Sequence, residues 1–446
     1  MSFRARQAAL KALTASPLPR DAHIRKVLAP LPVSDRRHAN DLVLGVERRT
    51  QTWDSILDAF LDHGVQRLPL GLRAALRMGV YELLSNDRVP VPIVINETVE
   101  LFRTQRKVKG LVNAVLRRIR DAMESCDLAH CGGEPDVYRI QLSDGKAVRF
   151  DRAVLPDPAV SLQEWAAAQF SVTPWFAERM ITLLPLEWEA LLRSTIARLP
   201  VALRPRVGVT KEDLARMVSE AGGRVLRNLE TILEVQIPGD IGVMPAVQSG
   251  LARVQDLVTS EVVPFAEVLA GQSVLDACAS PGGKTVHILE TTQGNVRLLP
   301  CVRGADELSL VQSSLKASGF EKVRIHDLGP KGDRWPKGTF DRVLLDVPCS
   351  NSGVFMKRTQ ARYRCVPRDI ESLARVQDKI LSRAAASVAE GGRLIYSTCS
   401  ILPEENQDRI AAFLLAHPEF RLEEEHLRYP HRTTRDGGYM ARLART

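Results

Sequence analysis

Apolar positions recur at three- and four-residue spacing through the first 125 residues. In "LRAALRMGVYELL", Leu72, Leu76, Val80 and Leu83 fall on one stripe while Arg73 and Arg77 repeat on another face, the pattern of an amphipathic helix. "INETVELFRTQRKVKGLVNAVLRRIRDAM" continues in the same manner, with a break near Gly110. Residues 1–125 are therefore predicted to be an all-α domain. The pattern changes over 126–170, where "CGGEPDVYRIQLSDGKAVRFDRAVLPDPAVS" alternates in strand-like pieces around "SDG" and then meets prolines, so a β-hairpin insertion or linker is expected. A small α/β domain follows over 171–260. "VALRPRVGV" and "ILEVQI" read as strands, and "TKEDLARMVSEAGG" reads as a helix with Thr210 and Asp213 at its start and Gly222 as its stop.

From residue 261 to 446 short apolar runs alternate with helical ones. "SVLDAC", "RLLPCV", "KVRIHD", "FDRVLLDV" and "GGRLIYST" are strand candidates, separated by stretches such as "LSLVQSSLKASG" and "DIESLARVQDKILSRAAASVAEGG". Apolar strands joined by helical crossovers predict a doubly wound, Rossmann-like parallel sheet. Ligands of such sheets bind at the carboxyl ends of the strands. Asp276, Asp346 and Cys399 all fall at predicted strand ends, on that one edge.

A chain of 446 residues is too long for one core, which agrees with several domains. Its 45% hydrophobic and 26% charged residues are ordinary for a globular protein, and the absence of a long apolar run argues against a membrane span. The basic start "MSFRARQAALKALTAS" lacks the apolar core of a secretory signal. The seven cysteines show neither disulfide nor zinc-ribbon spacing, so reduced thiols and a cytoplasmic location are expected. "CDLAHC", with Cys126, His130 and Cys131, lacks a second ligand pair, and no metal is expected. Charge changes the picture more. Residues 1–120 hold 21 Lys+Arg against 11 Asp+Glu, while the remainder holds 40 against 42. All of the excess positive charge thus lies at the amino-terminal end, which points to a polyanionic partner. Arg103, Arg106, Lys107, Lys109, Arg117, Arg118 and Arg120 have no acidic residue among them and form the candidate nucleic-acid face.

The chemistry-bearing stretches lie in the last domain. "LDACASPGGKTVHILE", Leu275 to Glu290, reads as strand, turn and helix, with Gly282 and Gly283 allowing close backbone approach and the helix start offering free amides. It is not a phosphate loop, because Cys278 stands where glycine is needed, and G-x-G-x-x-G is absent. A strand ending in Asp276 before small residues suits a cofactor with a charged amino-acid end. Cys349 in "LLDVPCSNSGV" and Cys399 in "IYSTCSILPEEN" occupy matching strand ends. Either cysteine alone would more simply be a small buried hydrophobe.

"DACASPGGKT", "DVPCSNSGV" and "YSTCSILPEEN", in this order, resemble the Sun-type RNA (cytosine-5) methyltransferases. "GLVNAVLRRI" and "LRMGVYELL" resemble the NusB-like RNA-binding domain found on bacterial members that modify small-subunit ribosomal RNA, and "RVQDLVTSEVV" resembles the segment leading into the catalytic domain. The resemblance implies three domains: an all-α NusB-like domain, a small α/β middle domain and a C-terminal α/β Rossmann-like methyltransferase domain dependent on S-adenosyl-L-methionine. It also implies RNA as partner, and a monomer without metal or membrane is expected. In this chemistry a thiolate adds to carbon 6 of cytosine, carbon 5 accepts the methyl group, and loss of the carbon-5 proton allows the thiol to be eliminated. By resemblance Cys399 attacks, Cys349 assists release and Asp346 contacts the cytosine near the cofactor. The loop of Asp276, Ala277, Cys278, Ala279, Ser280, Pro281, Gly282, Gly283 and Lys284 would hold the cofactor, with Lys284 able to pair with Asp346. A helix start expected at Pro403 would lower the Cys399 thiol pKa.

One position departs from the family. Gly304 stands where an acid usually holds the cofactor ribose, and Asp306 or Glu307 is the candidate replacement. Asp327 in "RIHDLG" matches the acid near the adenine amino group. Two further readings remain: a non-catalytic RNA-binding or ribosome-assembly factor with a weakened cofactor site, motivated by Gly304, and a DNA cytosine methyltransferase, which would need only the "PC" cysteine.

Overall fold

The structure, a computed structural model, describes residues 3–14, 21–85, 89–127, 134–142, 145–237, 241–433 and 436–446. The "CDLAHC" stretch therefore lies mostly outside the described residues. The chain divides into two compact units, one of Met1–Arg198 with Phe355–Val366, the other of Leu199–Val354 with Pro367–Thr446.

The first unit begins with helices, among them Phe3–Leu13, Val33–Arg48, Thr50–Asp58, Leu70–Ser85, Val91–Glu100 and Arg106–Asp121. The stripe Leu72, Leu76, Val80 and Leu83 is buried as expected, but so are Ala75, Met78 and Glu82, so Leu70–Ser85 is a central helix covered nearly all round. Its arginine face is engaged within the unit: Arg77 makes a bidentate pair with Asp54 (2.7 and 2.6 Å) and Arg73 donates to Gln66. Helix Arg106–Asp121 buries Val112, Val115, Leu116 and Ile119 and exposes Arg106, Lys107, Arg117, Arg118 and Arg120. A three-stranded antiparallel sheet follows, β1 (Met123–Asp127), β2 (Arg139–Gln141) and β3 (Lys146–Phe150) in the order β1-β3-β2, and then helices Leu162–Phe170, Pro174–Leu183 and Trp188–Thr195.

The second unit opens with a four-stranded antiparallel sheet, β4 (Val201–Pro205), β5 (Arg224–Asn228), β6 (Leu233–Gln236) and β7 (Ala252–Val254), in the order β5-β6-β4-β7. Helix Lys211–Glu220 packs Leu214 and Val218 onto Leu203, Leu233 and Val235. The Thr210 hydroxyl caps it by accepting from Asp213 N–H at 3.0 Å. A seven-stranded sheet follows: β8 (Ser273–Asp276), β9 (Arg297–Val302), β10 (His326–Asp327), β11 (Phe340–Asp346), β12 (Val388–Thr398), β13 (Phe420–Arg428) and β14 (Gly438–Arg445), ordered β10-β9-β8-β11-β12-β14-β13. β10 through β12 in that order are parallel, whereas β14 runs antiparallel to both β12 and β13. Leu275, Val343 and Leu345 enter one core and Val274 and Leu344 the other, the period of two that a sheet covered on both faces requires. β8 pairs with β9 on one side and β11 on the other, so the strand order reverses there. That reversal opens a crevice at the carboxyl ends.

Candidate active site

Three neighbouring strands bring the candidate residues to one edge. β8 ends at Asp276, β11 at Asp346 and β12 at Thr398, with Leu344 opposite Asp276 and Asp346 opposite Ser397. Cys399 is the first residue beyond β12, and Cys349 lies three beyond β11.

The turn after β8 is shaped around Asp276, which is 1% exposed. Thr285 Oγ donates to its Oδ2 at 2.6 Å, while Oδ1 is buried without a partner among the described residues. Burial pushes this carboxyl up to about 6; the Thr285 bond opposes the shift and the Asp346 charge adds to it. Gly282 holds φ +104°, and a Cβ there would come within 2.7 Å of Ser314 Cβ, so glycine is required. Helix Gly283–Thr291 projects Lys284 toward β11, where Nζ meets Asp346 Oδ2 at 2.6 Å, and Ser397 Oγ donates to Asp346 Oδ1 at 3.0 Å. Burial works against the Lys284 charge, but the charge and hydrogen bond of Asp346 lead the groups that outweigh it and hold the ammonium above its ordinary range.

Both strand-end cysteines rest as thiols. Burial pushes Cys399 up to about 12; Asp346 adds to the rise and Lys284 opposes it. Cys349 lies well above its usual range through burial, reinforced by Cys399 and Glu405. The expected lowering by a helix start at Pro403 is thus overturned. Pro403–Glu405 is a single 3-10 turn, Asn406 breaks from helical geometry, and the next helix begins only at Gln407. Cys278, inside the β8 turn, is likewise held far above a reactive range by burial and by Asp276.

The two cysteine loops are joined through a residue that periodicity did not single out. Glu405 is fully buried, with no cation paired to it among the described residues. Its Oε1 accepts from Ser350 N–H (2.8 Å) and Gln377 Nε2 (3.1 Å), and its Oε2 accepts from the Ser350 and Ser400 hydroxyls. Ser350 follows Cys349, and Ser400 follows Cys399. Gly353 N–H also donates to Cys399 O at 2.9 Å, and a Cβ on Gly353 would sit 2.4 Å from Gly437 O. In sequence "PEEN" reads as a helix start at Pro403, which gives Glu405 no buried role. The available signal for Glu405 was its place in a motif where both cysteines are followed by serine.

At the ends of β9 and β10 the acids divide. Glu307 accepts from Arg303 N–H at 2.7 Å and closes the first turn of helix Gly304–Lys316. Asp306 is exposed and makes no hydrogen bond or ion pair among the described residues. Asp327 Oδ1 accepts from Gly304 N–H (3.2 Å) and Gly329 N–H (3.0 Å), and these bonds hold its carboxyl below the usual range. Gly304 itself has φ +82° and open space where a Cβ would stand.

Residues 266–444 match the family model described as 16S rRNA methyltransferase RsmB/F, and residues 4–121 match the NusB family. Ribosomal RNA small subunit methyltransferase B of Citrobacter koseri is 29% identical over 409 residues, covering 90% of this chain and 87% of that protein. The Salmonella typhi protein of the same name is 28% identical over 413 residues, covering 90% and 88%. The crystal structure of PH0851 has a TM-score of 0.77 at 22% identity over 99% of both chains. That of NSun6 from Pyrococcus horikoshii with SFG has 0.53 at 18% identity, over 60% of this chain and 97% of that one. The cysteine-bearing sheet, within residues 266–444, is thus similar to the RsmB/F 16S rRNA methyltransferases, and the amino-terminal helices, within residues 4–121, are similar to the NusB family.

Proposed function

We propose that this chain methylates carbon 5 of a cytosine in small-subunit ribosomal RNA through a covalent bond between Cys399 and the base. The matched family model and the relatives described above are named for methylation of small-subunit ribosomal RNA, which supports the coarser activity. The observation that carries the finer reading is the pair of strand-end thiols beside the Lys284–Asp346 ion pair.

The residues present fit the cofactor. Asp276 Oδ1, buried and unpartnered, suits the amino group of its methionine end, and the glycine-bearing turn suits close approach. Asp306, exposed in the first turn after β9, would hold the ribose hydroxyls, and Asp327, at the end of β10, would lie on the adenine side. When bound, the cofactor supplies an electrophilic methyl group. The chain's own residues do the rest. Asp346, whose charge acts on the Cys399 thiol, would take its proton as sulfur adds to carbon 6, while Lys284 balances the negative charge. The new S–C6 bond leaves carbon 5 nucleophilic. After methylation the carbon-5 proton passes to solvent water, its bonding electrons re-form the C5=C6 double bond, the S–C6 bond breaks and sulfur leaves as the Cys399 thiolate, which takes its proton back from Asp346, with Cys349 assisting this release.

Labelled cofactor and unmodified small-subunit RNA test the reading. Wild type should label cytosine, Cys399→Ser should be inactive, and Cys349→Ser should accumulate a protein–RNA adduct. No transfer to cytosine would sink the proposal, and an adduct trapped by Cys399→Ser would reverse the two cysteine roles.

A further inference from the structure

The first unit carries a partly open cavity of about 320 Å³ lined by cations and no acids. Arg48, Arg49, Arg198 and Lys146 line it, together with Trp53, Tyr81, Leu84, Leu142 and Ile196. Its size lies at the lower end of small-ligand sites, about 300–1,000 Å³. The cations differ in what engages them. Arg49 is buried, donates to Gln141 O and Gln169 O (both 2.8 Å), and stacks over Trp53 at 5.2 Å. Arg198 is half exposed, pairs with Asp41 at 3.1 Å and lies 5.7 Å from the Tyr81 ring. Arg48 has no such partner. It makes no hydrogen bond or ion pair among the described residues, and its Nε is closed to solvent and unsatisfied. Burial, and after it the facing Arg198 charge, disfavours the Arg48 cation. A guanidinium held beside a like charge with an unmet donor costs stability unless an anion joins it.

We propose that this cavity seats one nucleotide of single-stranded RNA, its phosphate on Arg48 and its base and ribose against the apolar wall of Leu84, Leu142 and Ile196. The proposal rests on the reading of RNA as substrate. An apolar pocket with guanidinium groups at its rim matches how unstacked nucleotides are held, and the excess positive charge of residues 1–120 favours a polyanion over a free anion. The sequence offered no sign of it, because Arg48, Tyr81, Leu142 and Arg198 come from four separate stretches.

The test uses the full-length chain and a labelled single-stranded oligoribonucleotide, with binding read by fluorescence anisotropy over a range of salt. Arg48→Gln should weaken binding about tenfold, the loss of one charge-assisted hydrogen bond. It should also make the slope of log K against log[salt] shallower by about 0.7. Ser85→Trp fills the cavity without removing charge and should also weaken binding. Unchanged affinity in both variants would overturn the proposal. So would a lower melting temperature for Arg48→Gln, which marks a structural arginine. A third overturning outcome is binding of inorganic phosphate or a mononucleotide that depends on Arg48 while RNA affinity does not. Binding is read without turnover, so failure of wild-type methyl transfer would count against the proposed activity and leave this site standing.

Discussion

At the scale of single residues, Glu405 holds the two cysteine loops to one another. Its four accepted hydrogen bonds come from the residues after Cys349 and Cys399 and from Gln377. Glu405→Ala leaves buried donors unmet, at about 1–3 kcal/mol each. It should lower kcat on the order of 100-fold through misplacement of the thiols, with cofactor Kd unchanged. Glu405→Gln, which keeps an acceptor and the shape, should recover most of kcat. If alanine costs melting temperature but not kcat in the fraction that remains folded, the residue is merely structural. Asp276 leads to a pH dependence. Its folded carboxyl titrates near 6 rather than 3.8, so the stability tied to its protonated form is present at low pH and lost as pH rises through about 6. Binding a cationic amino group requires the carboxylate. Cofactor Kd should therefore rise about tenfold for each pH unit below about 6, and Asp276→Asn should bind weakly with no such dependence. Calorimetry showing a flat Kd from neutral to pH 5 in wild type would count against this role.

At the scale of elements, buried charge is what the pattern of apolar positions conceals. Glu82 lies on the Leu70–Ser85 helix among its apolar neighbours, 1% exposed, and meets Arg6 of helix Phe3–Leu13 in a bidentate ion pair. Burial raises the Glu82 carboxyl, with Arg6 opposing. Removing one partner leaves a buried charge alone, so Arg6→Met should destabilise the first unit by about 3–5 kcal/mol. Arg6→Met combined with Glu82→Leu should recover most of that loss. Urea unfolding of the single and double variants checks both, and additive losses would rule out coupling. The same physics explains what was legible in the sequence. β8, β11 and β12 are apolar on both faces and were readable, as were the acids and cysteines at their ends. β13, "FRLEEEHLR", and β5, "RVLRN", are edge strands rich in charge and gave no apolar run to find. Glu405 escaped because its partners lie 55, 28 and 5 residues away and meet only in the folded crevice.

At the scale of the whole molecule, the chain does not complete its first unit before starting the second. Phe355–Val366, only a few residues beyond Cys349, belongs to the same compact unit as residues 1–198. Within that unit Arg362 is fully buried and donates to the carbonyls of Phe170 (3.2 Å), Ser171 (3.4 Å), Thr195 (2.7 Å) and Phe355 (3.0 Å). Tyr363 donates to Glu47 O at 2.6 Å and accepts from Thr50 N–H at 3.0 Å, Thr359 donates to buried Glu47, and Phe355 packs edge-on to Phe176 at 5.1 Å. A polar stretch such as "FMKRTQARYRCV" carries no periodicity that announces this role. Residues 1–198 alone would expose these carbonyls and the Phe176 ring, so that fragment should melt on the order of 10 °C below the same fragment carrying 355–366 on a flexible Gly/Ser linker. Arg362→Met in the linked form should forfeit most of the difference, because its four buried carbonyls then lack their donor. Equal melting temperatures for the fragment with and without 355–366 would mean that the amino-terminal helices and their sheet are self-sufficient, and that the returning segment is a passenger on them.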